Sequence, residues 1–424
     1  MIDKSLVKKL IAEYQNYVTG IKLIPRDIVV DYSHCNVFVG LRRAGKSYLM
    51  YQCIHHFLEN GASPQSFLYF NFEDDRLADL TVGDLDTVKL CYEEMYADKP
   101  VFFLDELQVV KGWEKFARRL ADTGYQVFIT GSNANMLSSE IATTLGGRYA
   151  LTEVFPFSFK EYLDAKQIKL KSNWQYLANS DVKRAFNEYF TLGGLPEVVE
   201  TQPQFKRKWL SGLFDRIYFG DLVARNGIRK HDSLKSLIRK LVDSIGQPLS
   251  VNRAASIVAS SGTSLKPETA ADYIGYMNQA WLTFSVENYI GKLADKLSLK
   301  KYYYIDNGLI TLFRDSVNDA LLENLVAVSL RKRFGADFYY FRHNVELDFY
   351  VPEASLGIQV CYTMEDESTM RREVAALRAV HQFKSLEKAL IVTYDEEGET
   401  VTDEGLNIGI IPVWKWLLLQ STAS

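Results

Sequence analysis

Residues 40–47 read Gly40-Leu41-Arg42-Arg43-Ala44-Gly45-Lys46-Ser47 and fit the pattern G-x-x-x-x-G-K-[ST] at every fixed position. A short apolar run, Asn36-Val37-Phe38-Val39, precedes the loop, and a stretch without Gly or Pro follows it from Tyr48. A strand, a loop of this kind and a helix together present backbone N–H groups to phosphate oxygens. The stretch therefore predicts an α/β fold with a nucleotide at the loop, rather than a chance match in a glycine-containing turn.

The loop supplies most of the predicted nucleotide contacts. The residues expected there are Gly40, Arg43, Ala44, Gly45, Lys46, Ser47 and Tyr48. Lys46 is expected to reach the outer phosphates, and Ser47 to place its hydroxyl on Mg²⁺. Arg42 and Arg43 are uncommon neighbours for phosphates. They either add affinity, meet an acidic partner or point to solvent, and solvent is the default interpretation.

A second apolar run ends in two acids. Residues 100–106 read Pro100-Val101-Phe102-Phe103-Leu104-Asp105-Glu106, which suits a strand buried on both faces of a parallel sheet. Carboxylates at the carboxyl end of such a strand lie where ligands bind. We expect Asp105 to hold the Mg²⁺ shell and Glu106 to orient or deprotonate water. The alternative is a strand that simply stops at an acidic turn.

A third run, Gln126-Val127-Phe128-Ile129-Thr130-Gly131-Ser132-Asn133, changes from apolar to small polar residues at its end. Thr130, Ser132 or Asn133 is a candidate sensor of the terminal phosphate. The alternative is an ordinary helix cap. Arg148 is a candidate arginine finger, acting within the chain or from a neighbouring copy, or else an exposed arginine near a turn.

Composition limits the class of protein. The chain has 424 residues, too many for one compact core, and its 47% hydrophobic content indicates well-folded domains. A net charge of −4 gives no overall nucleic-acid signature. Four scattered cysteines favour a reducing cytosol, and neither a signal core nor a membrane-spanning run is visible. We therefore expect a cytoplasmic protein without a membrane partner.

The pattern along the chain predicts four parts. Residues 1–154 alternate strands and helices as in a parallel P-loop sheet, and residues 155–228 read as a helical lid. Residues 229–295 offer three helices and a strand, as a winged helix-turn-helix needs. Its third helix carries Glu268 and Asp272 and is not basic, so packing competes with DNA binding as its role. Residues 296–424 return to an α/β pattern.

The whole chain resembles a bacterial and archaeal group of AAA-superfamily ATPases that carry a C-terminal domain of unknown function. The motifs that support this resemblance, besides residues 40–47, are Leu104-Asp105-Glu106-Leu107-Gln108, Thr130-Gly131-Ser132, Gly147-Arg148-Tyr149, Phe155-Pro156-Phe157-Ser158-Phe159-Lys160-Glu161-Tyr162, Gly193-Gly194-Leu195-Pro196 and Tyr304-Ile305-Asp306-Asn307-Gly308-Leu309. The resemblance implies a winged-helix-like middle and a PD-(D/E)xK nuclease-like end. It also implies ATP rather than GTP.

The nuclease-like end departs from the chemistry that its fold implies. Glu323 and Asp348 stand where a helix acid and a hairpin acid belong, but the acid-x-Lys of the next strand reads Gln359-Val360-Cys361. Glu346 lies on the same strand face as Asp348 without restoring the lysine. The loss of one carboxylate and of the cation predicts a scaffold without nuclease activity.

The leading hypothesis is a Mg²⁺-dependent ATPase that binds ATP and ADP and uses hydrolysis to move attached domains. The alternatives are an ATP-switched DNA-binding protein, a nuclease in which another lysine replaces the missing one, and a signalling or defence scaffold. A homo-oligomer or a protein partner stays open, and DNA stays a possible partner.

Overall fold

A computed structural model describes residues 2–77, 80–132, 145–172, 174, 180–291, 298–314 and 318–421. The chain forms two compact units, Met1–Phe155 and Pro156–Ser424. No helix in these described ranges is long and apolar enough to cross a lipid bilayer.

The first unit is built on a five-stranded parallel sheet. Its strands are β1 (Cys35–Val39), β2 (Phe67–Asn71), β3 (Val101–Asp105), β4 (Val127–Gly131) and β5 (Tyr149–Glu153). Its helices are α1 (Lys4–Gly20), α2 (Lys46–Glu59), α3 (Val82–Met95) and α4 (Trp113–Asp122), with 3-10 turns at Pro64–Ser66, Asp75–Leu77 and Leu107–Val109. The strand order is β2-β3-β4-β1-β5. The predicted parallel α/β core is confirmed.

Burial explains why the apolar runs of β1, β3 and β4 could be recognised in the sequence. Every residue of β1 and β4 is buried, and their apolar runs pack against helices on both faces. The fifth strand, β5, lies at the sheet edge and is only half-buried, with Leu151 exposed. It lacks a continuous apolar run, and the sequence pattern did not predict it.

The described residues of the second unit form helices, a π-helical segment and strands. Its helices are α5 (Phe159–Ala165), α6 (Ser180–Leu192), α7 (Pro196–Glu200), α8 (Pro203–Arg216), α9 (His231–Asp243), α10 (Val251–Ser260), α11 (Pro267–Gln279), α12 (Asn307–Ile310), α13 (Asn318–Phe334), α14 (Glu367–Phe383) and α15 (Val413–Ser421), with a π-helical segment at Ile217–Ala224. Its strands are β6 (Leu249–Ser250), β7 (Thr283–Val286), β8 (Leu299–Tyr304), β9 (Tyr339–Arg342), β10 (Glu346–Val351), β11 (Leu356–Val360), β12 (Lys388–Thr393), β13 (Gly398–Val401) and β14 (Asn407–Pro412).

Two sheets organise this unit. A three-stranded antiparallel sheet has the order β6-β8-β7, and a six-stranded mixed sheet has the order β13-β14-β12-β11-β10-β9. The mixed sheet packs a core that includes Leu347, Leu377, Val380, Ile391 and Ile408. Residues 155–228, the predicted lid, are largely helical where described, and all but Phe155 belong to this second unit. Their action as a lid stays a prediction.

Candidate nucleotide-binding site

The glycine-containing loop joins the carboxyl end of β1 to the first residue of α2, as its sequence predicts. Gly40 has a φ of 153°, and a Cβ there would lie 2.2 Å from the carbonyl oxygen of Val154. Gly45 precedes α2 with a φ of 96°, in the left-handed region. Both glycines are therefore required by the backbone of the loop, one by a close approach and one by its conformation.

An arginine that the sequence pattern did not single out braces the loop. Arg26 is 4% exposed, and its guanidinium donates to the carbonyl oxygens of Ala44, at 2.9 Å, and of Phe155, at 2.7 Å. Its backbone N–H donates to Gln52 on α2. Because Ala44 stands inside the loop, Arg26 fixes the loop backbone from the side of the preceding chain.

Lys46 lies folded back over the loop. Its Nζ donates to the carbonyl oxygens of Gly40, at 3.3 Å, and Leu41, at 3.1 Å, and stands 3.8 Å from Oε1 of Glu106. Burial lowers the pKa of Lys46 below its usual range, while the charges of Glu106 and Asp105 oppose the shift. A phosphate beside this ammonium would add a further opposing charge, which fits a phosphate-binding role.

Asp105 is the centre of the site. The hydroxyl of Ser47 donates to its Oδ1 at 3.1 Å, and Tyr69 donates to its Oδ2 at 2.6 Å. Thr130 donates to Oδ1 as well. Burial raises the pKa of Asp105, and the charge of Glu106 adds to the rise, while these hydrogen bonds oppose it. Hydroxyl and carboxylate oxygens in contact are ligands that Mg²⁺ accepts.

Glu106 is held by two neighbours. Its backbone is left-handed, with a φ of 53°, and its N–H donates to Oγ1 of Thr130 at 2.8 Å. Its carboxylate Oε2 accepts a hydrogen bond from the side-chain amide of Gln108. The other end of that amide, Oε1 of Gln108, is buried without a hydrogen-bond partner among the described residues. Gln108 thus orients the carboxylate that the sequence assigns to water activation.

Ser132 is placed one residue beyond the end of β4. Val39 pairs with Gly131 across the parallel strands, so Ser132 stands beside the start of the loop at Gly40. Its Oγ is buried and has no hydrogen-bond partner in the part of the chain that the structure describes. A buried unpaired hydroxyl costs about 1–3 kcal/mol, so this position suits contact with a polar ligand. Asn133 lies outside the described residues.

Arg148 does not join these residues. Tyr149 pairs with Cys35 at the amino end of β1, whereas the loop follows the carboxyl end of β1. Arg148 therefore lies at the end of the strands opposite to the loop. There it forms an ion pair with Asp122. A finger acting within the chain does not fit this placement, because the sheet separates it from the loop. Action from a neighbouring copy stays a prediction.

The remaining loop side chains have varied surroundings. Arg42 keeps 26% of its side chain exposed and stands 3.3 Å from Glu73, so its interpretation as a solvent-facing cation stays a prediction. Arg43 is half-buried with a left-handed φ of 64°. Tyr48 is exposed on the first turn of α2, and its ring packs on Tyr51. Their predicted contacts with the nucleotide stay predictions.

The structure therefore brings Lys46, Ser47, Asp105, Glu106 and Thr130 together. It adds Arg26 and Tyr69, which carried no functional signal in the sequence, and Gln108, to which the sequence assigned no role. Gln108 stands in the Asp105–Gln108 motif, and its spacing from Glu106 is the one local cue that was available. In the described residues no group of three or more His, Cys, Asp or Glu side chains is placed to hold a metal ion. A hydroxyl and one carboxylate fit Mg²⁺ only where phosphate oxygens complete its shell.

Comparison with known proteins finds two family models and several relatives that this chain resembles. A family model described as an AAA domain matches residues 33–163, and a model described as a domain of unknown function (DUF8612) matches residues 183–318. An uncharacterized protein of Methanocaldococcus jannaschii is 34% identical over 433 residues, covering 99% of this chain and 96% of the relative. An uncharacterized protein of Haemophilus influenzae is 31% identical over 399 residues, covering 92% and 95% of the two chains.

Among solved structures, the chain is similar to a Walker-type ATPase of Pyrococcus abyssi, with 15% identity and a TM-score of 0.35. The match covers 74% of this chain and 96% of that one. The ORC1 protein of Aeropyrum pernix, solved in complex with DNA, matches with 15% identity and a TM-score of 0.32, covering 77% of this chain and 94% of that one.

Proposed function

Because this chain belongs to the AAA superfamily of P-loop ATPases, we propose that it is a Mg²⁺-dependent ATPase. The observation that carries the proposal is the meeting of Ser47, Thr130 and Asp105, with Glu106 beside Lys46, at the carboxyl edge of a parallel sheet. ATP rather than GTP is proposed from family likeness.

Each residue has a distinct role in this proposal. The loop backbone and Lys46 bind the phosphates of ATP, since buried N–H groups and an ammonium are preorganised there. Ser47 and Asp105 hold Mg²⁺, which supplies the positive charge that phosphoryl transfer requires. Glu106 orients the attacking water and accepts its proton. Thr130 fixes the backbone of Glu106, and Ser132 contacts the phosphates.

We further propose that hydrolysis moves parts of the second unit. The order α9-β6-α10-α11-β7-β8, with its antiparallel sheet, supports a winged-helix-like domain at residues 229–295 together with β8. The helix α13, the strands β9 to β12 and α14 support a nuclease-like domain within residues 296–424. Residues 155–228 are the proposed lid.

ATP turnover by the purified chain with Mg²⁺ tests the proposal. Lys46→Ala should abolish binding and turnover, whereas Glu106→Gln should keep binding and reduce turnover by about 100-fold or more. Lys115→Ala, on the exposed face of α4, is the matched control and should behave as the unsubstituted chain. Turnover that survives Glu106→Gln would contradict the assigned role of the glutamate. ATP binding that survives Lys46→Ala would contradict the site itself.

A second candidate function is that of an ATP-switched DNA-binding protein. It is supported by a cavity of about 350 Å³ lined by Lys240, Arg253 and Arg342. Lys240 and Arg253 have no acidic partner within ion-pair distance among the described residues, which leaves two positive charges available to phosphates. Neither Glu268 nor Asp272 of α11 lines this cavity, whose one acidic lining residue is Glu346, so DNA contact there need not involve the helix whose charge argued against it.

Duplex DNA binding with and without ATP tests this candidate. We expect affinity to fall with added salt, and Lys240→Ala with Arg253→Ala to reduce the slope of that salt dependence. Lys266→Ala, at the start of α11, is the comparison for the helix. An affinity that neither salt nor ATP changes would reject the candidate and favour a scaffold for protein partners.

A further inference from the structure

A buried lysine stands among the acids of the nuclease-like domain. Lys301 on β8 is fully buried, and its Nζ lies 3.2 Å from Glu323, 3.1 Å from Asp348 and 3.2 Å from Glu346. The three carboxylates come from two elements, α13 and β10, and both elements converge on the ammonium carried by β8. The nuclease motif does not reveal this lysine, because the motif expects one at position 361, where Cys361 stands, and Lys301 lies 60 residues earlier.

One carboxylate oxygen of Glu323 and both carboxylate oxygens of Asp348 already have partners. Oε1 of Glu323 also accepts the hydroxyl of Tyr303 at 2.7 Å, and Oδ2 of Asp348 accepts the backbone N–H of Val360 at 3.0 Å. Oε2 of Glu323 faces Gly246, where a Cβ would lie 2.2 Å away. The positive φ of Gly246, 80°, allows this close backbone approach. Glu323 keeps 14% of its side chain exposed and lines, with Asp348 and Glu346, a cavity of about 490 Å³, so Lys301 contacts these acids from the side opposite to solvent.

Gln359 serves a structural role instead of completing a metal site. Its Oε1 accepts the backbone N–H of Asp348 at 2.7 Å, and its Nε2 donates to Glu373 at 2.6 Å. An amide makes both bonds at once, one as acceptor and one as donor, which a carboxylate cannot do. The residue that replaces the expected acid is thus used to join β10, β11 and α14.

The residues present do not fit the divalent ion that a nuclease fold implies. A metal bound jointly by Glu323, Asp348 and Glu346 would have to compete with the Lys301 ammonium, which already contacts all three carboxylates. Burial alone lowers the pKa of a lysine, but the charges of these three carboxylates outweigh it and raise the pKa of Lys301 above its usual range. Lys301 is therefore a permanent cation at this position. Being fully buried, it is also not exposed to a substrate.

We propose that the Lys301 ammonium takes the place of a divalent metal in this cleft, so that the nuclease-like domain folds without metal and does not hydrolyse phosphodiesters. The proposal rests on the nuclease-like part of the function proposed above and is independent of ATP hydrolysis. The sequence predicted that the cleft lacks its lysine. The proposal is instead that a cation is present, that another strand supplies it, and that it acts as the counter-ion of the acids.

Manganese binding tests the proposal. Electron paramagnetic resonance counts bound Mn²⁺ in chains that carry Asp105→Asn, which removes the metal ligand of the first unit. In that background we expect no bound Mn²⁺, and adding Lys301→Met should create one site per chain. Adding Asp348→Asn to Lys301→Met should abolish the new site. The proposal would be overturned if the Asp105→Asn chain, which keeps Lys301, bound one Mn²⁺ and the addition of Asp348→Asn abolished that binding. Metal and Lys301 would then coexist in the cleft.

Stability supplies a second readout if Lys301→Met folds poorly. The unfolding temperature of the Asp105→Asn chain should not respond to Mn²⁺, whereas the lowered unfolding temperature of the Lys301→Met chain should rise with Mn²⁺ and not with Na⁺. If Mn²⁺ raised the unfolding temperature of the chain that keeps Lys301, and Asp348→Asn abolished that rise, the proposal would again be rejected. Mg²⁺-dependent cleavage of labelled DNA that is lost on Asp348→Asn would do the same. ATP turnover is measured on the unsubstituted chain, so failure of the ATPase proposal is recognised separately.

Discussion

The carboxylate of Asp306 accepts the backbone N–H of Gly194 at 2.8 Å, across 112 residues of chain. The same carboxylate accepts the N–H of Gly308 at 2.9 Å. A Cβ at Gly193 would lie 1.8 Å from Oδ1 of Asp306, so the glycine is needed for the chain to come this close. Two sequence motifs, Gly193–Pro196 and Tyr304–Leu309, thus owe their composition to one buried junction within the second unit.

The neighbouring asparagine extends this junction. The side-chain amide of Asn307 donates to the carbonyl oxygens of Phe190, at 2.8 Å, and Leu321, at 3.0 Å. Asn324 donates to the Asn307 side chain at 3.0 Å. The motif therefore links α6 to α13 by bonds that satisfy buried polar groups. These contacts give the motif a structural role, which the resemblance by itself did not indicate.

Stability should depend on pH through Asp306. Burial raises the pKa of Asp306 from 3.8 to about 7, although the two backbone hydrogen bonds oppose the shift. Because the folded chain holds this proton more tightly than the unfolded one, the contribution of Asp306 to stability is largest near pH 4. It is lost as the pH rises to about 7. In Asp306→Asn we expect that dependence to vanish.

Chemical denaturation at several pH values measures this effect. The free energy of unfolding of the unsubstituted chain, minus that of Asp306→Asn, should fall by up to about 1.4 kcal/mol per pH unit across that range. Glu323 also titrates with a raised pKa but cancels in the difference. Asp272→Asn, on the exposed face of α11, is the matched control for replacing an aspartate by asparagine. A flat difference for Asp306→Asn would refute the assignment.

The sequence predicts those parts of the molecule that neighbouring residues determine. Residues 40–47 and Asp105–Glu106 are contiguous motifs on buried strands, so spacing alone indicates where they meet. Arg26 and Lys301 differ, because each acts on groups far away in the sequence and stands in an unremarkable local pattern. The edge strand β5 was missed for a related reason, since half-burial leaves no apolar run to recognise.

Arg26→Ala should weaken both folding and ATP binding. Removing the guanidinium leaves the carbonyl oxygens of Ala44 and Phe155 buried without their donors, which costs about 2–4 kcal/mol of the free energy of unfolding. Because Ala44 belongs to the phosphate loop, ATP affinity should fall too. Denaturant unfolding and ATP titration check both effects. Arg76→Ala removes the ion pairs of an exposed arginine with Asp74 and Glu13 and should cost less than Arg26→Ala. Equal losses would remove the special role of Arg26.

Ser132→Ala should affect stability and ligand binding in opposite senses. Deleting a buried hydroxyl that has no partner among the described residues should leave the free energy of unfolding unchanged or raise it by about 1 kcal/mol. The affinity for ATP should fall by about 10-fold or more if this hydroxyl contacts the phosphates. Ser233→Ala is matched, because that buried hydroxyl donates to the carbonyl oxygen of Ser264. It should lose stability, and an unchanged ATP affinity for Ser132→Ala would exclude the contact.

Gln108→Ala should slow turnover without weakening ATP binding. The amide of Gln108 holds the Glu106 carboxylate, and loss of such a supporting hydrogen bond typically costs 10- to 100-fold in activity. We expect kcat to fall by about that factor while KM changes little, because Gln108 acts on Glu106 rather than on the nucleotide. Gln126→Ala, whose amide donates to Tyr32 just before β1, is the control. A loss expressed in KM alone would point to nucleotide contact instead.

Arg148→Ala should abolish turnover only if a neighbouring copy supplies the finger. Arg148 lies at the end of the strands opposite to its own phosphate loop, so its guanidinium can serve only the loop of another chain. Mixing the Arg148→Ala chain with the Lys46→Ala chain then pairs an intact loop with an intact finger and should restore part of the turnover. Mixing Lys46→Ala with Glu106→Gln should restore none, because neither chain keeps a complete site. Arg148→Ala with full turnover would leave Arg148 as the partner of Asp122 alone.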